Sequence, residues 1–263
     1  MNTIPRTLLG KTNIEVSRLG LGTVKFGRNQ GTKYPKSFDL PTDAEVVHLL
    51  SLAHEAGINL IDTAPAYGLS EERLGKLLPG QREDWVIVSK AGEEFEQGQS
   101  YFDFSPKHLK FSIERSLRRL KTEYLDVLLI HSDGQDLQHI EEDQVFEPLS
   151  ELKRKGWIRA YGMSTKTVSG GLATLNLADV AMVTYNPLAP QEKPVLDAAL
   201  HLHKGILIKK ALGSGHLNTL NTANPVKTAL DFTLSHPAVS SVVIGTLNPE
   251  HLREMINVFY RKD

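Results

Sequence analysis

The 263-residue chain contains no cysteine. That absence excludes disulfide scaffolds, thiolate nucleophiles and cysteine-held metal together, and it fits a reducing compartment. No segment approaches the ~18 consecutive apolar residues of a membrane span, since the longest apolar runs reach only four or five residues. The first ten residues carry charge and proline and lack the apolar stretch of a secretory signal, so the protein is expected to begin near Met1 and to be cytoplasmic. Charge of one sign is also missing: 30 Lys and Arg face 31 Asp and Glu, a formal net charge of -1. Such a balance supplies no net positive field to hold a phosphate backbone, which argues against nucleic acid as a partner.

What is present is a large core. Hydrophobic residues make up 40% of the chain and charged residues 23%, enough to bury about three quarters of the unfolded surface and to exclude disorder as the main state. The length allows two small domains or a single α/β barrel, which routinely takes ~250 residues. Eight short apolar runs decide between them, at 19–24, 58–61, 85–88, 125–130, 158–163, 180–184, 206–208 and 241–244. Between them lie segments with helical spacing, such as Val46, Leu49, Leu50 and Ala53, or Leu109, Ile113, Leu117 and Leu120. Thr42 or Asp43, Ser105 with Pro106, and Asn248 with Pro249 read as helix starts. Gly57, Gly156 and Gly205 stand where left-handed helix ends are expected, just before strands. Eight such evenly spaced units predict a single (β/α)8 TIM barrel over residues 1–263. Its longer connections follow strands, at 28–41, 91–104 and 132–144. In a barrel those connections form the face where catalysis occurs.

Four ionisable residues fall at the ends of three successive predicted strands: Asp62 and Tyr67, then Lys90, then His131. Neighbouring strands lie ~4.8 Å apart, so all four fit one pocket. A phenol ordinarily titrates near ~10, and an adjacent ammonium favours its phenolate. Asp62 supplies the counter-ion for Lys90, and His131, as a neutral donor, orients a carbonyl oxygen. The set suits protonation of an oxyanion as it forms. Singly, each residue reads equally well as a loop cap, an exposed lysine, a rim aromatic or a structural histidine. Their coincidence on consecutive strand ends carries the argument. A metal-dependent hydrolase is the competing enzyme class, but no His-x-His ends the first strand, and His201 and His203 point apart on a predicted helix. No metal is expected.

Asp62-Thr63-Ala64-Pro65-Ala66-Tyr67-Gly68 followed by Ser70-Glu71-Glu72-Arg73-Leu74-Gly75 resembles the signature of the aldo-keto reductase superfamily. So do Val88-Ser89-Lys90, Leu125-Asp126-Val127-Leu128-Leu129-Ile130-His131, and the run from Gly156 to Ser164. The similarity extends from about Leu8 to Met255. It implies a TIM barrel that transfers hydride between NADPH and an aldehyde or ketone. In that resemblance Tyr67 is the general acid, Lys90 lowers its pKa, Asp62 pairs with Lys90 and His131 positions the carbonyl. A non-catalytic nicotinamide-binding sensor or accessory protein is the alternative.

A Rossmann fingerprint is missing, because Gly20-Leu21-Gly22 lacks the third glycine. Phosphate is expected instead after strands seven and eight, at Gly213-Ser214-Gly215 and at Gly245-Thr246-Leu247-Asn248, which leads into a helix start. By resemblance, Gly22, Thr23, Ser164, Leu212, Ser214, Gly245 and Thr246 match positions that hold the dinucleotide. The chain departs from the family at Thr165, where an Asn is usual, at Met182 for a Gln, at Lys209 for a ring-stacking Tyr, and at Met255 for an Asn. His251 and Arg253 are the local candidates for a 2′-phosphate, which places NADPH ahead of NADH. Phe26, Tyr34, Phe38, Phe95, Phe102 and Tyr185 are the aromatics expected to shape the substrate space. A small-molecule carbonyl is the expected partner, its identity open, and scattered surface aromatics do not define an oligomer interface.

Overall fold

A computed structural model describes residues 3–32 and 37–260. Eight parallel strands close into a barrel: β1 (Leu19–Gly22), β2 (Leu60–Asp62), β3 (Val86–Ala91), β4 (Leu125–His131), β5 (Ile158–Ser164), β6 (Val180–Thr184), β7 (Gly205–Lys209) and β8 (Val239–Ile244). Each strand pairs with its neighbours in chain order, and β8 pairs with β1, as Val242 opposite Leu19 shows. Each of the eight apolar runs overlaps one of these strands, and the (β/α)8 architecture expected from them is the one observed.

Alternation along these strands divides the core in two. Leu60, Val88, Val127, Leu129, Ala160, Val180, Met182 and Leu207 pack inside the barrel. Ile61, Ile87, Leu128, Ile130, Ala181, Ile206 and Ile208 face the surrounding helices, in one cluster with Leu49, Leu109, Ile113 and Leu149. A short antiparallel hairpin, Arg6–Leu8 with Glu15–Ser17, was not evident from the sequence. Its Leu9, Ile14 and Val16 belong to the interior cluster and plug the N-terminal mouth. The opposite mouth holds a large cavity.

The start signals act as expected. The Thr42 hydroxyl accepts from the Glu45 backbone while Glu45 reaches back, a reciprocal cap on the helix Asp43–Glu55. Ser105 caps Pro106–Leu120, and Asn248 Oδ1 accepts from Glu250 N at the start of Pro249–Tyr260. Gly57 and Gly156 are left-handed, at φ +84° and +79°. Gly205 is not, and here the expectation is corrected: His203 takes the left-handed position at φ +55°, and Gly205 is the first residue of β7. A Cβ on Gly205 would lie 2.7 Å from the Leu9 side chain, so close packing against the N-terminal plug is what excludes a side chain there.

Residues 91–104, expected as plain loop, hold a second hairpin, Glu93–Glu96 with Gln99–Phe102. Gln97 and Gly98 both have positive φ, +50° and +85°. That is the turn a two-residue hairpin needs, and Gln-Gly between two extended runs was the signal for it.

Candidate active site

The open mouth is a cavity of about 1030 Å³. Asp62, Tyr67, Lys90 and His131 all line it. Asp62 ends β2, and its carbonyl accepts from Thr23 N and Thr23 Oγ1, which ties the end of β2 to the residue after β1. Lys90 lies on β3, 2% exposed. Its Nζ donates to Asp62 Oδ1 at 2.5 Å and to Thr63 O at 2.9 Å. The same ammonium stands 4.7 Å from the centre of the Tyr67 ring. Tyr67 closes the short 3-10 turn Pro65–Tyr67. Gly68 after it adopts φ +61°, and a Cβ there would lie 2.2 Å from Gly27 O, so the turn is seated directly on the helix Val24–Gly27. The ring of His131, the last residue of β4, meets Tyr67 edge-on at 6.2 Å between centroids.

The rest of the signature builds the frame. Ser70 Oγ bridges Thr23 Oγ1 and Thr63 Oγ1, at 2.7 and 3.0 Å. Buried Glu71 accepts from Ser89 Oγ, and Arg73 binds Asp43 and the carbonyls of Phe26 and Pro41. Asp126 and Arg159, both inside motifs, pair with each other at 2.6 Å, and Asp126 also takes Arg82 at 2.8 Å.

Residues not singled out in the sequence complete the first wall. Glu93 Oε2 lies 2.7 Å from His131 Nδ1. Burial pushes the Glu93 carboxyl up, but His131, Ser100 and Arg28 outweigh it and hold it at about 2. Burial pushes the His131 imidazole down, Glu93 opposes, and the Lys90 and Lys209 cations add to the depression. The net result favours a neutral ring near neutral pH. Arg28 stacks on Phe95 at 3.4 Å and reaches Ala66 O at 3.1 Å, which locks the hairpin Glu93–Phe102 beside the Tyr67 turn.

The opposite wall carries Ser164, Thr165, Met182 and Lys209. Lys209 Nζ donates to Ser164 Oγ at 2.8 Å and to Thr165 O at 2.7 Å. Burial lowers its ammonium to about 7, helped by Lys210, Lys90 and Lys166 and opposed by Asp136. Gly22, Thr23, Leu212, Ser214, Gly245, Thr246, His251 and Met255 also line the cavity, as does Gly215 rather than Gly213. Asn248 spends its side chain on the helix cap, and Arg253 is exposed beside Glu250 at 3.4 Å; neither lines the cavity.

Of the aromatics, Phe102 lines the cavity. Phe26 is fully buried core, and Tyr185 packs on Phe232 at 5.0 Å, so neither shapes the substrate space. Phe95 stacks under Arg28, and Phe38 lies beside Lys25. Tyr34 falls outside the described residues. No group of three His, Asp or Glu suited to a metal occurs among the described residues, and no helix there is long and apolar enough to cross a membrane.

Residues 18–229 match the model of the aldo/keto reductase family. A solved structure assigned as an aldo-keto reductase from Pseudomonas aeruginosa is 49% identical, with a TM-score of 0.89 over 98% of this chain and 96% of that one. The uncharacterized oxidoreductase YqkF of Bacillus subtilis is 28% identical over 94% of this chain and 89% of its own length. The NADH-specific methylglyoxal reductase of Escherichia coli is 34% identical over 62% of this chain, a match that spans 51% of that protein.

Proposed function

The chain belongs to the aldo/keto reductase family, and from that premise we propose that it reduces an aldehyde or ketone to the alcohol with NADPH. The observation that carries the reading is the Lys90 ammonium held between Asp62 Oδ1 at 2.5 Å and the Tyr67 ring at 4.7 Å. Asp62 offsets the desolvation of Lys90, and Lys90 stabilises negative charge that develops on the phenol oxygen. Tyr67 is therefore the group that gives its proton to the carbonyl oxygen as hydride arrives at the carbon. Neutral His131, backed by Glu93, positions that oxygen. Nicotinamide supplies the hydride when bound; no side chain of this chain is a reductant.

The long cavity suits a dinucleotide. Buried polar atoms of Thr165 and Glu192 in its wall lack partners, Ser214 and Gly215 line it, and Gly245 and Thr246 line it just before the start of the helix Pro249–Tyr260. Ser164, Thr165, Met182, Lys209 and Leu212 would hold the nicotinamide end. NADPH is proposed ahead of NADH on His251, which lines the cavity where a 2′-phosphate would meet it. Small aldehydes, ketoaldehydes and sugar-derived carbonyls are the substrates proposed for the cavity that Phe102 lines.

Fluorescence titration with NADPH, and with NADH in parallel, followed by a panel of small aldehydes in the same cuvette, tests the reading. Binding with turnover, indifferent to EDTA, is expected. Binding without turnover across the panel would favour a non-catalytic sensor. Failure to bind either dinucleotide would end the oxidoreductase reading.

A further inference from the structure

Glu192 precedes the helix Lys193–Leu202 at its N-cap position, yet its side chain makes no capping bond. The residue is 8% exposed, lines the cavity, and its Oε2 has no hydrogen-bond partner among the described residues. Thr165 Oγ1, on the same cavity wall and 1% exposed as a residue, is also without a partner. Burial raises the Glu192 carboxyl; the Lys209 cation opposes this and Asp136 adds to it, so Glu192 sits within electrostatic reach of both. Lys209 in turn is bonded to Thr165 O. A buried carboxyl that neither caps its helix nor pairs costs the free protein stability, and such groups persist where a ligand completes them.

We propose that Glu192, Thr165 and Lys209 form a seat for a primary carboxamide, the amide of the nicotinamide ring, with Glu192 accepting from its N–H. The inference rests on the function proposed above and assigns the amide contacts within it. A primary amide offers donors and an acceptor on one carbon. Its NH2 satisfies Glu192, and its oxygen takes a hydrogen from Thr165 or Lys209. A carboxylate ligand would face Glu192 as a like charge, and an ammonium would face Lys209 in the same way. An alkyl group would leave both wall atoms unpaired.

The test compares Kd for NADPH and for its 3-acetylpyridine analogue, in which methyl replaces the amide NH2, using wild type, Glu192→Ala and Glu192→Gln. Wild type is expected to bind the analogue roughly ten- to hundred-fold more weakly, the loss of one hydrogen bond to a charged acceptor. Glu192→Ala should bind both ligands alike. Glu192→Gln, whose carbonyl accepts in the same place, should keep the preference. The thermal midpoint of ligand-free Glu192→Ala should not fall, because the variant removes an unsatisfied carboxyl; this separates lost recognition from lost folding. Equal affinities in wild type, or an undiminished preference in Glu192→Ala, would overturn the seat while leaving the reductase reading intact. If wild type binds neither ligand, the reductase reading falls and the seat falls with it.

Discussion

Across the cavity mouth, the wall built from β2, β3 and β4 has its carboxylates paired with nearby cationic or imidazole groups before any ligand arrives. Asp62 meets Lys90, Glu93 meets His131, and Arg28 steadies the hairpin that carries Glu93. The wall built from β5, β6, β7 and the start of Lys193–Leu202 is incomplete: Thr165 Oγ1 and Glu192 Oε2 are buried without partners, and Lys209 is pushed down to about 7. The first wall performs the proton chemistry and must be preorganised, since charges that reorganise during reaction raise the barrier. The second wall recognises a ligand, so part of its bonding is left for that ligand to supply.

Substitutions on the finished wall should have the largest effects. Tyr67→Phe removes the proton donor and leaves the frame in place. Carbonyl reduction should drop by roughly 10²- to 10⁴-fold, the share of a general acid, with dinucleotide affinity unchanged. Steady-state rates beside a binding titration check this, and full activity in the variant would remove Tyr67 from the mechanism. Asp62→Asn comes next, because it leaves the Lys90 ammonium buried without a counter-charge. Breaking a buried pair from one side costs about 3–5 kcal/mol, so both kcat and the denaturation midpoint should fall. Adding Lys90→Met should recover much of the stability and none of the activity. Recovery of activity in the double variant would show that the pair is only structural.

Lys209 tests the other wall through pH. Its pKa in the fold, about 7, lies below the ordinary lysine value of 10.5. Between those two values the unfolded chain binds a proton that the folded chain has lost, so this group makes stability rise with pH from about 7 to about 10.5 and adds no slope below 7. Lys209→Met should flatten the profile in that window. Parallel profiles for wild type and variant would show that the ammonium is solvated after all.

The barrel was legible because its strands are apolar on both faces, and the strand runs read from the sequence lie on the observed strands. Most of those runs stop one to three residues early. The residues left off are Asp62, Ser89 with Lys90 and Ala91, His131, Ser164 and Lys209, and of these Asp62, Lys90, His131, Ser164 and Lys209 line the cavity. An apolar run ends where the strand enters the site, so the boundary error marks the site itself. Glu93 and Glu192 were not legible in the same way. Glu93 stands on a hairpin whose only signal was the Gln97-Gly98 turn, and Glu192 reaches the cavity from a loop after β6 with nothing in the local sequence to separate it from a solvated acid. Both are placed by the closure of the barrel, which no local pattern encodes. The same limit explains Phe26 and Tyr185, aromatics near strand ends that the fold turns into the core.

The smallest expected effect concerns the helix Pro249–Tyr260, which follows β8. Arg253 looked like the better phosphate partner by residue type, because its planar fork can bind two oxygens. The fold points it outward beside Glu250, whereas His251 lines the cavity. Arg253→Ala should change the ratio of NADPH to NADH affinity by no more than the ~0–1 kcal/mol typical of an exposed charge. His251→Ala should lower affinity for NADPH more than for NADH, because His251 lines the cavity and the extra phosphate of NADPH gains a donor there. Titrations of both dinucleotides against wild type and each variant measure the effect. A ratio that responds to Arg253 and not to His251 would mean that the arginine swings inward to meet its ligand. The site would then be completed by side-chain movement rather than by groups already in place.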